Sequence, residues 1–131
     1  SIATIAVHDQ DEALKFYRDL LGLRVTNDVR FESYRWLTVQ APDQPDVDLL
    51  LEHVGAGRGA DDAAELEKLL AKGSLAAPIF RVDAVDELFE RVRAAGYEVL
   101  QEPISQAYGM RDCAFRDPSG NAVRFAQPVS D

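Results

Sequence analysis

The first half of the chain combines short apolar runs with one segment of helical spacing. The run over 2–7 predicts a strand, and apolar residues recurring every three or four positions over 11–21 predict an amphipathic helix. Asp9 or Asp11 can cap the start of this helix, and Gly22 follows it as a left-handed C-terminal residue. The first half therefore has the order β-α-β-β-β, with further strands over 23–29, 34–41 and 47–53.

A connector of different composition, over 54–75, follows this first half. Residues 54–60 are rich in glycine, and residues 61–72 have the spacing of a short charged helix. The alternating glycines also occur in phosphate-binding loops, but Asp61 and Asp62 open the next helix and would repel phosphate. We therefore interpret the segment as a link whose helix covers the sheet or, as an alternative, binds a partner protein.

The second half, 76–131, repeats the pattern of the first half, 1–53. Val82 to Leu100 matches Val7 to Val25, because in both a strand leads into a helix that stops at a glycine and continues as a strand. A period of about half the chain is typical of a duplicated module rather than of a solenoid. We predict one α+β domain of two βαβββ modules, with the last two strands near 110–116 and 121–127.

Charge and composition then narrow the function. The 131 residues include 14 basic and 23 acidic side chains, and the formal net charge of −9 disfavours nucleic acid and anionic membrane surfaces as partners. No apolar run approaches the roughly 20 residues of a membrane span, and no signal-peptide pattern is present. Because Cys113 is the single cysteine, we expect no internal disulfide, a buried inert thiol and a cytoplasmic location.

Two motifs resemble the signatures of a known superfamily. They are Ala13-x-x-Phe16-Tyr17-x-x-x-Leu21-Gly22-Leu23 and Phe115-x-Asp117-Pro118-x-Gly120-Asn121. Together they resemble the vicinal oxygen chelate superfamily, which includes glyoxalase I, bleomycin-resistance proteins, fosfomycin-resistance enzymes and extradiol dioxygenases. The resemblance implies two modules whose sheets curve around a cup, usually in a homodimer, with the cup closed within one chain or by a swapped partner. We interpret the second motif as a structural turn.

The metal-ligand positions that this resemblance implies carry unsuitable side chains. They are Ile2, Leu50, Ala77 and Arg124. Three of these side chains are apolar, and a guanidinium repels a cation. Glu52 shares the face of Leu50 by strand alternation, whereas His53 points the opposite way and His8 is expected to make a loop contact or to be exposed. We therefore predict no metal and no cofactor.

Without a metal, the predicted cup is a pocket for a small molecule. Trp36 can stack on an aromatic or cationic ligand, or it can simply fill the core. Phe31 and Tyr108 lie at the rim, where ordinary turn packing is the alternative role. The predicted ligand-binding residues are Phe31, Trp36, Thr38, Asp48, Leu50, Glu52, Ile79, Tyr108, Met110 and Arg124.

These features favour a non-catalytic protein that sequesters an aromatic or amphipathic natural product, such as an antibiotic, in a dimer cleft. Metal-free members of the superfamily, such as bleomycin-resistance proteins, imply this function. The predicted partners are a small-molecule ligand and a second copy of the chain, and no catalytic residue is assigned. The alternative is a lyase, isomerase or dioxygenase with a non-standard metal site, or a metal-free enzyme with Glu52 as general base. A structural or regulatory partner protein is the third possibility.

Overall fold

The computed structural model describes residues 1–129, in which two successive βαβββ modules follow the predicted order. The elements of the first module are β1 (Ile2–Val7), α1 (Gln10–Leu14, continued by a π-helical segment at Lys15–Leu20), β2 (Arg24–Phe31), β3 (Tyr34–Gln40) and β4 (Asp48–His53). The connector helix and the second module follow as α2 (Ala60–Ala71), β5 (Ile79–Arg81), α3 (Val85–Ala94), β6 (Val99–Ser105), β7 (Met110–Arg116) and β8 (Ala122–Pro128).

The strand order shows the duplication directly. The first sheet has the order β1-β4-β3-β2, and the second has the equivalent order β5-β8-β7-β6. In each sheet the first strand of the module pairs in parallel with the last strand, and the remaining pairs are antiparallel. The α+β fold of two βαβββ modules that the sequence predicts is therefore confirmed.

The helix predicted over 11–21 differs from the expectation in its second half. Its start is capped as predicted, since the Asp9 carboxylate accepts a hydrogen bond from the Glu12 backbone N–H at 3.0 Å. From Lys15 the backbone widens, and Leu21 N donates to Phe16 O, five residues back, at 3.0 Å. Apolar spacing does not distinguish this π-helical segment from an α-helix, because the same side chains reach the core in both.

The two modules share one hydrophobic core. Leu37 and Val39 of β3 are fully buried in it, as predicted, and so are Cys113 and Phe115 of β7. Aromatic contacts cross between the modules: the rings of Phe16 and Tyr97 are 4.9 Å apart, and those of Tyr17 and Phe80 are 6.3 Å apart. Each buried aromatic or aliphatic side chain contributes roughly 1.5–3 kcal/mol, so this shared interior stabilises both modules together.

The two sequence motifs are in direct contact across this core. The hydroxyl of Tyr17 donates to Asp117 Oδ2 at 2.7 Å, and both residues are buried. The other oxygen of Asp117 accepts the backbone N–H groups of Ser119 and Asn121, each at 2.9 Å. The side-chain amide of Asn121 in turn donates to Ala6 O at 2.8 Å. The turn is therefore a structural device, and it joins the second module to α1 and β1 of the first.

Gly120 allows the connector helix to lie against this turn. It has a φ of +108°, and a Cβ at this position would come within 2.6 Å of the carbonyl oxygens of Leu70 and Ala71 at the end of α2. Only a residue without a side chain fits so close to a backbone. The end of α2 is thus held against the second module, while its exposed face is directed to solvent.

Candidate functional site

The predicted ligand-binding residues lie on the sides of the two sheets that are turned away from the shared core. Thr38 lies opposite Leu50 in the first sheet and Ile79 lies opposite Arg124 in the second, as strand alternation predicts. We call the two surfaces the first and second outer faces. The first carries Phe31, Trp36, Thr38, Asp48, Leu50 and Glu52, and the second carries Ile79, Met110 and Arg124, with Tyr108 in the adjoining turn.

Hydrogen bonds organise the polar residues of the first outer face. Thr26 and Thr38 share a hydrogen bond at 2.7 Å between their hydroxyl oxygens, and the Thr26 hydroxyl donates to Asp48 Oδ1 at 3.1 Å. Separately, the Tyr34 hydroxyl donates to Glu52 Oε2 at 2.7 Å. Partial burial and the Glu52 carboxylate raise the pKa of Tyr34, so this phenol stays protonated and holds the carboxylate in place. Glu52 is therefore oriented as an acceptor on this face.

Half-buried Trp36 lies beside an exposed apolar area of the same face. In β2, Val29 is opposite Trp36 and is 52 % exposed. Phe31 is 59 % exposed, and its ring lies 5.6 Å from that of Tyr34. An aromatic surface next to oriented carboxylates and hydroxyls suits a flat ligand that carries polar groups.

The centre of the second outer face is Asp112, which sequence reasoning did not select. It is 1 % exposed and accepts hydrogen bonds from the side-chain amides of Gln101 (2.7 Å) and Gln106 (3.0 Å) and from the Tyr108 hydroxyl. Arg124 Nη1 lies 3.4 Å from Asp112 Oδ1. Burial opposes the charge on Asp112, but these hydrogen bonds and the guanidinium outweigh it and lower the pKa of the carboxyl. Asp112 lies two residues after Met110 on β7, so strand alternation could have predicted that both side chains lie on this face.

The two groups of predicted residues lie on different sheets of the chain. Among residues 1–129, hydrogen bonds connect members of each outer face, and none connects the first face to the second. Each face also leaves large apolar side chains in solvent, with Ile2 55 % exposed on the first and Ile79 68 % exposed on the second. The predicted closure of a cup by the two sheets stays a prediction.

Cys113 lies on the core side of β7. It is fully buried, and burial together with the neighbouring charge of Asp112 raises the pKa of its thiol to about 11. A thiol that is protonated and inaccessible is a poor nucleophile, as the sequence predicts for this residue.

The two histidines lie close together in the structure, and this proximity was not predicted from the sequence. His8 and His53 have ring centroids 6.4 Å apart, and Glu67 of α2 lies between them. His53 points away from the face that carries Glu52, as alternation predicts. Glu67 was not singled out, because it lies 59 residues from His8 in the sequence and only the docking of α2 brings it close.

Comparisons with known proteins agree with this architecture. A model of the Glyoxalase/Bleomycin resistance protein/Dioxygenase superfamily matches residues 2–125. The Bacillus subtilis (strain 168) protein YurT is 31% identical over 127 residues, 96% of either chain. The crystal structure of UcmS2 is 36% identical with a TM-score of 0.87, covering 96% of this chain and 95% of that one. The crystal structure of TnmS3, an antibiotic binding protein from Streptomyces sp. CB03234, is 29% identical with a TM-score of 0.74, covering 98% and 93%.

The metal site of the metal-dependent members of this superfamily does not fit the side chains found here. Arg124 lies where a ligand is expected, and its guanidinium donates to Gln101 Oε1 at 2.9 Å and faces Asp112. Ala77 precedes β5 and has no donor atom, and Leu50 is buried. The outer faces therefore offer hydrogen-bonding and apolar groups to a ligand. Within residues 1–129, none of the helices is both long and apolar enough to cross a membrane.

Proposed function

Because this chain belongs to the Glyoxalase/Bleomycin resistance protein/Dioxygenase superfamily, we propose that it binds a small molecule without transforming it. The ligand is an aromatic or amphipathic natural product of the antibiotic kind, sequestered in a cleft between two copies of the chain. The observation that carries the proposal is the pair of outer faces, where exposed apolar side chains surround fixed polar groups at positions that fit no metal.

The similarity to an antibiotic binding protein supports this class of ligand. TnmS3 is described as such a protein, and this chain matches nearly all of it at 29% identity. One fold of this kind hosts many functions, so the proposal also rests on the local chemistry. The local chemistry adds Trp36 as a stacking surface and Arg124 with Glu52 as groups that orient polar substituents.

A second copy of the chain would complete the cleft. Contiguous exposed apolar surface, such as that of Val29 and Phe31 beside Trp36, often marks an interaction site on a protein. If the second outer face of one copy covers the first outer face of the other, two equivalent clefts form about a twofold axis. Each cleft then has Trp36 on one wall and Arg124 on the other.

The proposal is tested by titrating a panel of antibiotics, both planar aromatic and cationic, against the protein. Trp36 is the only tryptophan, so its fluorescence reports directly on the first outer face. We expect saturable binding for at least one aromatic member, and the ligand should be recovered unchanged by mass spectrometry. Conversion of the ligand to a product would instead favour the lyase, isomerase or dioxygenase alternative.

Substitution of Trp36 tests its role in binding. Calorimetry replaces fluorescence here, because Trp36→Ala removes the signal. Loss of a stacking contact of about 0.5–1.5 kcal/mol predicts affinity reduced roughly two- to thirteenfold in Trp36→Ala and less in Trp36→Phe. Lys15→Ala, an exposed change on α1, is the control and should bind as the wild type does. Unchanged affinity in Trp36→Ala would show that Trp36 does not contribute to ligand binding.

A further inference from the structure

Both histidines of the chain converge on one carboxylate, outside the outer faces. The parallel pairing of β1 with β4 aligns Val7 with His53, so His8, the next residue, lies beside His53. Glu67 reaches them from α2. The residue after β1, the last residue of β4 and a residue of α2 thus contribute one ligating side chain each to the same place.

We propose that His8, His53 and Glu67 form a binding site for a divalent transition-metal ion of the zinc type. Their donor atoms all lie within 4.8 Å of one another. Glu67 Oε2 is 2.7 Å from His8 Nδ1, and Glu67 Oε1 is 3.7 Å from His53 Nε2. Tetrahedral ligands about 2.0–2.1 Å from zinc are roughly 3.3 Å apart, a value between these two distances. Glu67 is thus near the required distance from each histidine, and rotation of the side chains must close the rest of the donor set, which extends to 4.8 Å.

The chemistry of the donors selects the kind of ion. Two imidazoles and one carboxylate suit zinc and its neighbours in the transition series, whereas calcium and magnesium prefer all-oxygen sites. The side chains of His8 and His53 are 65% and 49% exposed, so an ion can enter and the rings have room to turn. Three protein ligands leave a fourth position for water.

The surrounding backbone determines what changes when the ion binds. The N–H of His8 donates to Ser119 Oγ at 2.8 Å, which anchors this ligand to the turn of the second module. The Gly55 N–H donates to His53 Nδ1 at 3.0 Å. A neutral imidazole that ligates through Nε2 carries its proton on Nδ1, so metal binding breaks the bond to Gly55. The glycine-rich segment 54–60 can adjust to this at the cost of one hydrogen bond.

The position of the site gives the ion a role. It lies at the margin of a cavity of about 470 Å³ between α2 and the 117–120 turn, with Tyr97 and Arg116 in the wall. A bound ion ties α2 to the ends of β1 and β4, and so fastens the connector helix to the first module. This role does not require a ligand on the outer faces.

The test uses the full chain without an affinity tag, stripped of metal by a chelator that is then removed. Calorimetric titration with Zn²⁺ should show one saturable site per chain, and the melting temperature should rise with the Zn²⁺ concentration. Co²⁺ should give the visible absorption of a tetrahedral site. An excess of Mg²⁺ should leave Zn²⁺ binding intact, and equal competition by Mg²⁺ would reduce the site to a nonspecific acidic surface and overturn the proposal.

Variants identify the ligands. His8→Ala, His53→Ala and Glu67→Gln should each weaken Zn²⁺ binding at least tenfold, and their folding is checked by circular dichroism. Glu65→Gln, an exposed change on the same helix, is the matched control and should bind Zn²⁺ normally. Glu52→Gln should also bind normally, because that residue lies on the outer face. Absence of a saturable site, or normal binding by the three ligand variants, would refute the assignment without affecting the antibiotic titration.

Discussion

The hydrogen bond between Tyr17 and Asp117 matters because both groups are excluded from water. A buried carboxylate that loses a donor keeps its desolvation cost without compensation. Tyr34 and Glu52 make a bond of the same length on the partly exposed first outer face, where water can replace the lost partner. The two pairs therefore separate the effect of burial from that of the bond.

We predict that Tyr17→Phe lowers the free energy of unfolding by about 1–3 kcal/mol, whereas Tyr34→Phe lowers it by about 1 kcal/mol or less. Urea unfolding followed by circular dichroism measures both. Equal losses would mean that the position of the bond in the core has no energetic consequence.

Alkaline pH tests the same buried residue. Burial, then the charge of Asp117, raises the pKa of Tyr17 well above 10.0, and burial raises that of Cys113 from 9.0 to about 11. Because both pKa values are higher in the folded state, their contributions are complete below the unfolded values and disappear as the pH rises toward the folded ones. Stability should therefore fall above about pH 9, with a shallower fall in Cys113→Ala between pH 9 and 11 and in Tyr17→Phe above pH 10.

At the scale of elements, hydrophobic spacing and the internal repeat predicted the order of strands and helices found in residues 1–129, but not how the helices are built or docked. The alternation of side chains along β3 correctly predicted that Leu37 and Val39 face the core and that Trp36 faces away from it, since a strand has only two faces. The π-helical half of the first helix and the docking of α2 depend on tertiary contacts. For this reason Glu67 and Asp112, whose partners lie on other elements, were missed.

Two of the glycines with a positive φ, Gly22 and Gly120, differ in their surroundings, and this gives a prediction for α2. Gly22 has a φ of +81° with open space around it, whereas a Cβ on Gly120 meets backbone oxygens of α2 at 2.6 Å. Gly22→Ala should cost about 1 kcal/mol, the strain of the backbone alone. Gly120→Ala should cost about 3 kcal/mol or more, because the end of α2 must move. Thermal unfolding measures the stability lost in each variant. Similar losses would show that the end of α2 moves away from the turn at little energetic cost.

At the scale of the whole molecule, the sequence predicted which residues share a face of a sheet. It did not predict how the two outer faces are positioned relative to each other. Alternation along a strand is a local property. Whether two faces meet depends on how one module packs on the other and on a second chain. Trp36 and Arg124 lie on different sheets of the chain, and the proposed site takes them from two copies.

We predict a dimer in solution that depends on the outer faces. Light scattering after size-exclusion chromatography should give twice the chain mass of 14.5 kDa. Ile79→Asp places a charge in the apolar part of the second outer face and should shift the protein towards monomer. Glu90→Lys changes a charge on α3 outside both faces and should leave the dimer intact. A wild-type monomer at micromolar concentration would contradict the dimeric cleft.

The bond between the two motifs also bears on how such a repeat can evolve. Aromatic rings and hydrogen-bonding groups of each module pack against the other, so the two modules have one common hydrophobic core. Mutations at one motif are therefore constrained by the other across 100 residues of sequence. We therefore expect the two halves of such a repeat to change together at these positions, whereas residues on the outer faces can vary without disturbing the shared interior.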